Sequence, residues 1–548
     1  MSQEIASCGS NLTTGEQTAR RWGVHEIVLT GNGHVDNPFD TLCTVTFTPP
    51  SGPAHAVTVY AFYDGGDTWR ARVYVTETGR WRWRADSIHD PRLNNAEGAF
   101  AAAPSSLRGM LRPHVRNPRQ WMTDDGRWFL NLNDTAYALF RASETAWREY
   151  VADAWRQGIT SLRAGCVGGA AWDNDTELTD MLDNYPWLPG DYSRLDLTKF
   201  QTTDARLTWL LNNYPEMYIE FILFGLKQWG QDNTGIAWQE VPLEARISTM
   251  RQMLARWAAF PQLFWLIVND IHADEDFPNN QAFVREVGEY VAAHDQWHHL
   301  LSAGPKRFMP FPFLAPRDKW VSFIHIEHAY DLAGDQIARY AAYPMHTFLG
   351  EDRYEQDRPR LDPLHPCYYF RRLFWAALLS GGSASYGGRW RRIHPYSQTA
   401  TIPYNTGWIG EDNLTYTEGL HGLDAVPHIK RFFVTRGIEL WRFQPDDGVA
   451  ADLDGATGKH RPKAARRDRD EYLIYHPNSR GEDREVDTDP DKTARLRVDL
   501  RDAPGLFRVE WYRAADGVAQ EGGTVEGGAS RDLTAPWPGH DVVLRLLR

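Results

Sequence analysis

The sequence predicts an α/β multidomain chain: a (β/α)8 TIM barrel flanked by an N-terminal β-sandwich and a C-terminal β-sandwich. Three observations lead there. The length, 548 residues, allows several domains at roughly 100–200 residues each. Short alternating segments separated by turn residues occupy both ends of the chain, the pattern of antiparallel sheets. Between them, short apolar strands alternate with amphipathic helices eight times over, the pattern of a closed parallel barrel.

The N-terminal β-sandwich is placed at 21–105. Segments 41–49, 56–63, 69–75 and 79–85 each alternate polar with apolar side chains, and Asp64-Gly65-Gly66-Asp67 supplies a turn between two of them. Pro104, Pro113 and Pro118 then mark a linker.

The barrel is placed at 112–435. Segment 128–133 is its first strand, and Ser143 is a candidate cap for the helix that follows. Trp147, Tyr150, Val151, Ala154 and Trp155 share one face of that helix, and Gly158 stops it. Strand two follows at 160–164, strand three at 218–225, strand four at 264–270, strand five at 298–302, strand six at 323–327, strand seven at 345–350 and strand eight at 383–386. A doubly wound open sheet is the rival fold. It usually carries a glycine-rich phosphate loop after its first strand, where this chain has Asn133-Asp134-Thr135. The C-terminal β-sandwich is placed at 440–548, with strands at 472–475, 494–500, 506–512 and 541–546. Inside it, 459–469 is a basic run, which reads as a solvated loop.

Charge narrows the function. With 72 acidic and 59 basic side chains the net charge is −13, which disfavours nucleic-acid binding through phosphate neutralisation. No stretch of about 20 apolar residues is present, so no membrane helix is expected. Cys8, Cys43, Cys166 and Cys367 are far apart, which predicts neither a disulfide framework nor a zinc site. The first residues lack a basic start followed by an apolar stretch, and the expected location is the cytoplasm, or outside the cell if a leader has been trimmed. The 23 Trp, 23 Tyr and 24 Phe suit cores and sandwiches, but flat aromatic faces also suit sugar rings.

In a (β/α)8 barrel the chemistry sits where strands end at the C-terminal face. Asp270 follows strand four and Glu351 follows strand seven, so the two ends face one another across the mouth. Taken singly, an acid at a strand end often only caps a helix or meets solvent. A facing pair is what glycoside hydrolysis needs: one carboxyl group protonates the leaving oxygen, the other attacks the anomeric carbon or activates water. Asp270 and Glu351 are therefore the catalytic candidates. Asp134, Arg163, Trp229, Asn269, His328, Tyr330, Tyr386 and Trp390 lie on or near strand ends and are the substrate-binding candidates. Arg163 and Tyr330 are expected to keep Glu351 ionised, Asp134 to accept bonds from sugar hydroxyls, and Trp229 or Trp390 to stack beneath a ring. No metal or cofactor is expected. Asp173-Asn174-Asp175 with Glu177 lacks the glycine of a calcium loop, and His272 with Asp274, Glu275 and Asp276 is the other group of metal-ligating residue types.

The Asn269-Asp270 and Glu351 pattern resembles the large clan of retaining barrel glycosidases, although that clan carries Asn-Glu on strand four. Phe129-Leu-Asn-Leu-Asn-Asp-Thr-Ala136, Gly350-Glu-Asp-Arg-Tyr-Glu355 and Ser385-Tyr-Gly-Gly388 resemble the apiosidase-like barrels, glycoside hydrolase family 140 and its relatives, which use an Asp after strand four. Phe507-Arg-Val-Glu-Trp-Tyr512 and Ala535-Pro-Trp-Pro-Gly-His-Asp-Val-Val-Leu544 are similar to the collagen-binding-type β-domain that follows such barrels. The resemblance implies a retaining, exo-acting glycoside hydrolase of plant or microbial oligosaccharides. It implies a pentofuranoside substrate such as an apioside or arabinofuranoside, with Asp270 as acid/base and Glu351 as nucleophile. Ser302-Ala-Gly-Pro305 stands where a His-Pro is usual, and no His directly follows Tyr386-Gly387, which leaves several pentofuranosides open. The alternatives are a non-catalytic carbohydrate-binding protein on a degenerate barrel, favoured by the shorter Asp arm at 270, and a hydrolase of another type. The expected partner is a glycoside; the oligomeric state, homo-oligomer included, stays open.

Overall fold

The protein is described from a computed structural model, which covers residues 18–137, 139–140, 144–166, 186–188, 190–224, 241–273, 278–356, 360–388, 400–402, 414–416 and 419–548. Two compact units emerge: residues up to 107 together with 251–261, and 108–250 together with 262–548.

The first unit contains a five-stranded and a three-stranded β-sheet. Period-two alternation builds them. In Thr44–Thr48, Val45 and Phe47 are buried between outward threonines, and in Gly79–Asp86, Trp81 and Ala85 are buried while Arg80, Arg82 and Arg84 point outward. Each such large apolar side chain contributes about 1.5–3 kcal/mol by leaving water. The expected strand at 56–63 is two pieces. It breaks at Ala61, and Phe62–Tyr63 leaves the larger sheet to pair with Thr68–Tyr74 in the smaller one.

The second unit holds the barrel. Its eight parallel strands are β1 (Leu132–Thr135), β2 (Ser161–Gly165), β3 (Tyr218–Phe224), β4 (Leu263–Val268), β5 (Leu301–Ser302), β6 (Phe323–Glu327), β7 (His346–Glu351) and β8 (Ser383–Gly387). They are bonded in the order β5-β4-β3-β2-β1-β8-β7-β6. The seam between β5 and β6 is spanned at Ser322, whose N–H donates to the Leu301 carbonyl at 2.9 Å. Strands β3 and β4 are buried along their whole length, as strands covered on both faces must be. Among the helices between strands are α1 (Glu144–Arg156), α2 (Leu197–Asn213), α3 (Leu243–Trp257), α4 (Pro278–His294), α5 (Asp335–Ala338) and α6 (Pro366–Leu379), and α7 (Val426–Arg436) follows β8. Helix α1 buries Trp147, Tyr150, Val151 and Ala154, and Gly158 turns the chain at φ 86°.

The expected first strand is split. Trp128–Phe129 joins Leu111–His114 and Asn117–Thr123 in a three-stranded sheet, and only Leu132–Thr135 enters the barrel. Trp121 of that sheet meets Phe264, Phe323 and Phe348 edge-on, at centroid distances of 5.4, 5.4 and 6.5 Å. These rings lie at or near the N-terminal ends of β4, β6 and β7, so the barrel is closed at that end and the chemistry has only the other mouth.

Above this plug the lumen is polar. Asn131 donates to Ser383 and accepts from Ser161, while Asn133 donates to Ser161 at 2.7 Å and accepts from Ser385 at 2.8 Å. The small hydroxyl residues leave room for larger charged groups one layer higher. A β-sandwich of a six-stranded and a three-stranded sheet follows the barrel, its core including Tyr472, Ile474, Leu496, Val498, Phe507, Trp511 and Leu544. The basic run at 459–469 is not a solvated loop. Lys463–Arg467 is a strand, and Lys463, Lys459 and Arg466 are paired with Asp447, Asp483 and Asp446. Arg371 of α6 is buried against Asp541 at 2.8 and 3.0 Å, and Trp375 of α6 stacks on Tyr475. No helix among the described residues is long and apolar enough to cross a membrane.

Candidate active site

The mouth is built from the chain segments leaving β1, β2, β4, β5, β6 and β7. Strand β7 ends on Glu351. Just before it, Gly350 is forced by packing: a Cβ there would stand 2.0 Å from Cε1 of His325, so only a glycine lets the imidazole lie against this strand. Strand β4 ends at Val268, and the chain bends through Asp270, which holds a left-handed backbone at φ 53°. That conformation is uncommon for a residue with a side chain and tends to mark functional sites.

Glu351 is surrounded by donors. Its Oε2 accepts from the Tyr137 hydroxyl at 2.7 Å and from Arg163 at 3.1 Å, while Oε1 accepts from Arg307. The Tyr354 hydroxyl adds a further bond. Burial alone would raise the pKa of this carboxyl group. Arg307 and Arg163, with Tyr137 and Tyr354, outweigh burial and bring it to about 2.

Arg163 is wholly buried and organises the floor. It donates to the Gly350 carbonyl at 2.9 Å, to Glu327 Oε1 at 2.7 Å and to Asn269 Oδ1. Its Nε lies 3.8 Å from Glu220, which also pairs with His325 Nδ1 at 2.8 Å. Burial disfavours the imidazolium of His325, but Glu220 and Glu327 more than offset this and raise its pKa. Arg163 thus ties β2 to β6, to β7 and to Asn269 just past β4, with an ion pair to β3, and fixes the nucleophilic candidate at several points.

Asp270 meets the opposite environment. Its Oδ1 is shielded from solvent and has no hydrogen-bond partner among the described residues. Burial first, then the nearby Glu327 and Glu351 carboxylates, push its pKa well up, against weaker opposition from Arg307 and Lys306. The surroundings of the two carboxyl groups therefore pull apart: paired donors favour the ionised form of Glu351, and burial beside like charges favours the protonated form of Asp270. Such divergent environments sort two like groups into base or nucleophile and acid.

The other sequence candidates divide. Asn269 joins the site by bridging Arg163 and the Tyr137 hydroxyl. Asp134 does not reach it: Asn133 and Thr135 point into the lumen, so Asp134 between them points to the helix layer and accepts from Tyr150 of α1. Tyr386 is turned away for the same reason, since Ser385 faces inward, and its hydroxyl donates to Glu355 at 2.7 Å. Tyr330 does not hold Glu351. Its hydroxyl donates to the Leu361 carbonyl at 3.4 Å, and Tyr137 and Tyr354 take the part expected of it. His328 is half-buried at the rim, and its backbone N–H donates to the Glu351 carbonyl at 3.0 Å. Trp229 and Trp390 lie outside the described residues, as do Ser143, Asp173–Glu177 and Asp274–Asp276. No cluster of metal-ligating side chains occurs among the described residues.

Tyr137, Arg307 and Glu220 escaped the sequence reading. Tyr137 and Arg307 sit in loops past the strand ends. Strand β5 is only two residues long, so nothing in the pattern marks Arg307 as a strand-end residue. Glu220 is an acid inside a fully buried apolar strand, a signal that was visible in the sequence.

Residues 116–433 match the sequence profile of the apiosidase-like catalytic domain, and residues 18–88 match DUF5060, a domain of unknown function. Among solved structures, a candidate glycoside hydrolase from Bacteroides vulgatus ATCC 8482 is similar over 97% of this chain and 100% of its own, with a TM-score of 0.69 and 18% identity. A glycoside hydrolase family 5 protein from the same organism is similar over 80% of this chain and 94% of its own, with a TM-score of 0.59 and 16% identity. At those identities the likeness concerns the fold. No curated relative matches the chain. Barrel, paired carboxyl groups and profile together define a glycoside hydrolase. The chain belongs to the apiosidase-like family.

Proposed function

We propose that the protein is a retaining, exo-acting glycosidase of pentofuranosides, with Glu351 as nucleophile and Asp270 as acid/base. The observation that carries the mechanism is the contrast in partners: Arg163, Arg307 and Tyr137 donate to Glu351, while Asp270 Oδ1 is buried with no hydrogen-bond partner among the described residues. Pentofuranoside and exo action rest on kinship with the apiosidase-like family.

In the first step Glu351 attacks the anomeric carbon while the Asp270 proton passes to the leaving oxygen. The glycosidic bond breaks and a glycosyl ester forms on Glu351. Arg163, Arg307 and the two tyrosines hold the attacking carboxylate in place, so little reorganisation is needed as its charge is spent. Loss of that negative charge also removes one reason for Asp270 to keep its proton, which suits its change of role. In the second step ionised Asp270 takes a proton from water, the water oxygen attacks the anomeric carbon, and the ester is released as Glu351 carboxylate. Two displacements leave the configuration unchanged.

The test is a panel of nitrophenyl glycosides, pentofuranosides included, with the first-formed anomer followed by NMR. Cleavage of a pentofuranoside with retention is expected. Inversion would remove the nucleophile from Glu351, and cleavage confined to hexopyranosides would remove the sugar assignment.

A further inference from the structure

Beside the carboxyl pair one aromatic ring stands exposed at the third position of a turn, closed by the Met309 N–H donating to the Lys306 carbonyl at 3.0 Å. Phe308 is 62% exposed and holds a left-handed backbone at φ 69°. A bulky residue in that region is an outlier, and an exposed ring gains little from burial to offset it. Its neighbours fix its place. Arg307, one residue earlier, donates to Glu351 Oε1, and the Phe308 N–H donates to the Glu327 carbonyl at 3.0 Å. The ring meets His328 edge-on at a centroid distance of 5.0 Å, and the His328 N–H is bonded to the Glu351 carbonyl. Burial keeps the imidazole of His328 below its ordinary pKa, against a weaker pull from Asp352, so the pair is a neutral aromatic surface.

We infer that Phe308, braced by His328, is a sugar-stacking wall of the active-site mouth, taking the C–H face of the substrate ring. Sugar rings present polarised C–H groups, and an uncharged aromatic face next to ionised Glu351 can receive them without competing for its hydrogen bonds. The strain at Phe308 is then a positioning cost. The turn that carries Arg307 to Glu351 places the next side chain outward, with its ring against His328. The inference rests on the site being a glycosidase site but not on the retaining step.

The experiment measures KM and kcat on the nitrophenyl glycoside that the wild type cleaves best, and titrates the matching methyl glycoside by saturation-transfer NMR. Phe308→Ala should raise KM and the methyl glycoside Kd about tenfold with kcat within about twofold, the signature of lost uniform binding. Phe308→Trp should restore KM to within about threefold, and Phe308→Leu should fall between. Phe308→Gly should not lower Tm, because glycine accepts the left-handed turn without strain. Unchanged KM and Kd in Phe308→Ala would overturn the inference. So would a lowered Tm in Phe308→Gly with unchanged KM, which would make the residue structural. If the wild type binds a methyl pentofuranoside without cleaving any glycoside, the catalytic proposal fails and the Kd series alone decides Phe308. If it neither binds nor cleaves, both fail.

Discussion

Asp270 and Glu351 differ less in chemistry than in what surrounds them, and their protonation follows from that. Two arginines and two tyrosines aim at Glu351; burial and two other carboxylates act on Asp270. Linkage gives each a sign. Glu351 has a folded pKa of about 2, below the unfolded value of about 4.3, so it adds stability above that value and loses it as pH falls toward 2. Asp270 has a raised folded pKa, so its contribution is full below the unfolded value of about 3.9 and is lost as pH rises through the folded one. Asp270→Asn should therefore raise Tm at pH 7 and flatten its decline with rising pH, while lowering kcat by about 10²–10⁴-fold on poor leaving groups. A Tm for Asp270→Asn that tracks the wild type at every pH from 4 to 8 would contradict this. Glu351→Gln should remove activity and, by leaving Arg307 without its paired anion while Arg163 keeps Glu327 and Glu220, cost about 1–3 kcal/mol in urea denaturation. Asp270 and Glu351 were legible as candidates in the sequence because acids at strand ends stand out. Tyr137, Tyr354 and Arg307 were not assigned, because a loop side chain gains its role only from where the fold delivers it.

Strand polarity decided which candidates survived. Asp134 and Tyr386 both sit near strand ends, as the sequence reading required. One-residue alternation turns both toward the helices, because Asn133 and Ser385 take the lumen. The strand-end rule gives height in the barrel but not facing, and facing needs the register. Register was recoverable for long alternating strands such as Gly79–Asp86 and not for β1, whose four residues are all buried. The split of the expected first strand has the same root: segment 128–133 reads as one strand, yet Trp128–Phe129 finds its partner in the plug sheet. The plug supplies an element-scale prediction. Trp121→Ala removes a ring packed on Phe264, Phe323 and Phe348 at the end away from the carboxyl groups. It should cost about 3–5 kcal/mol of stability with kcat essentially unchanged at a temperature where the variant is folded. A loss of kcat without loss of Tm would contradict the placement of the site at the other mouth.

Over the whole chain, the alternation of strand and helix announced the barrel, and flanking sheets were visible from their turns. What could not be read was how closely the C-terminal sandwich is bound to the barrel. Arg371 of α6 and Asp541 make a buried ion pair, and Trp375 of the same helix stacks on Tyr475. Truncating one partner of such a pair leaves a buried charge, so Asp541→Ala should lower stability by about 3–5 kcal/mol and lower the single unfolding transition of barrel and sandwich together. Two separated transitions by calorimetry, only one of them shifted, would show that the pair does not join them. The most direct test of the account remains the fate of azide in the two alanine variants. Glu351→Ala with azide should give a glycosyl azide of inverted configuration, and Asp270→Ala with azide should give one of retained configuration, from attack on the glycosyl ester. The reverse pairing, or wild-type rates in both variants, would contradict the roles assigned to Asp270 and Glu351.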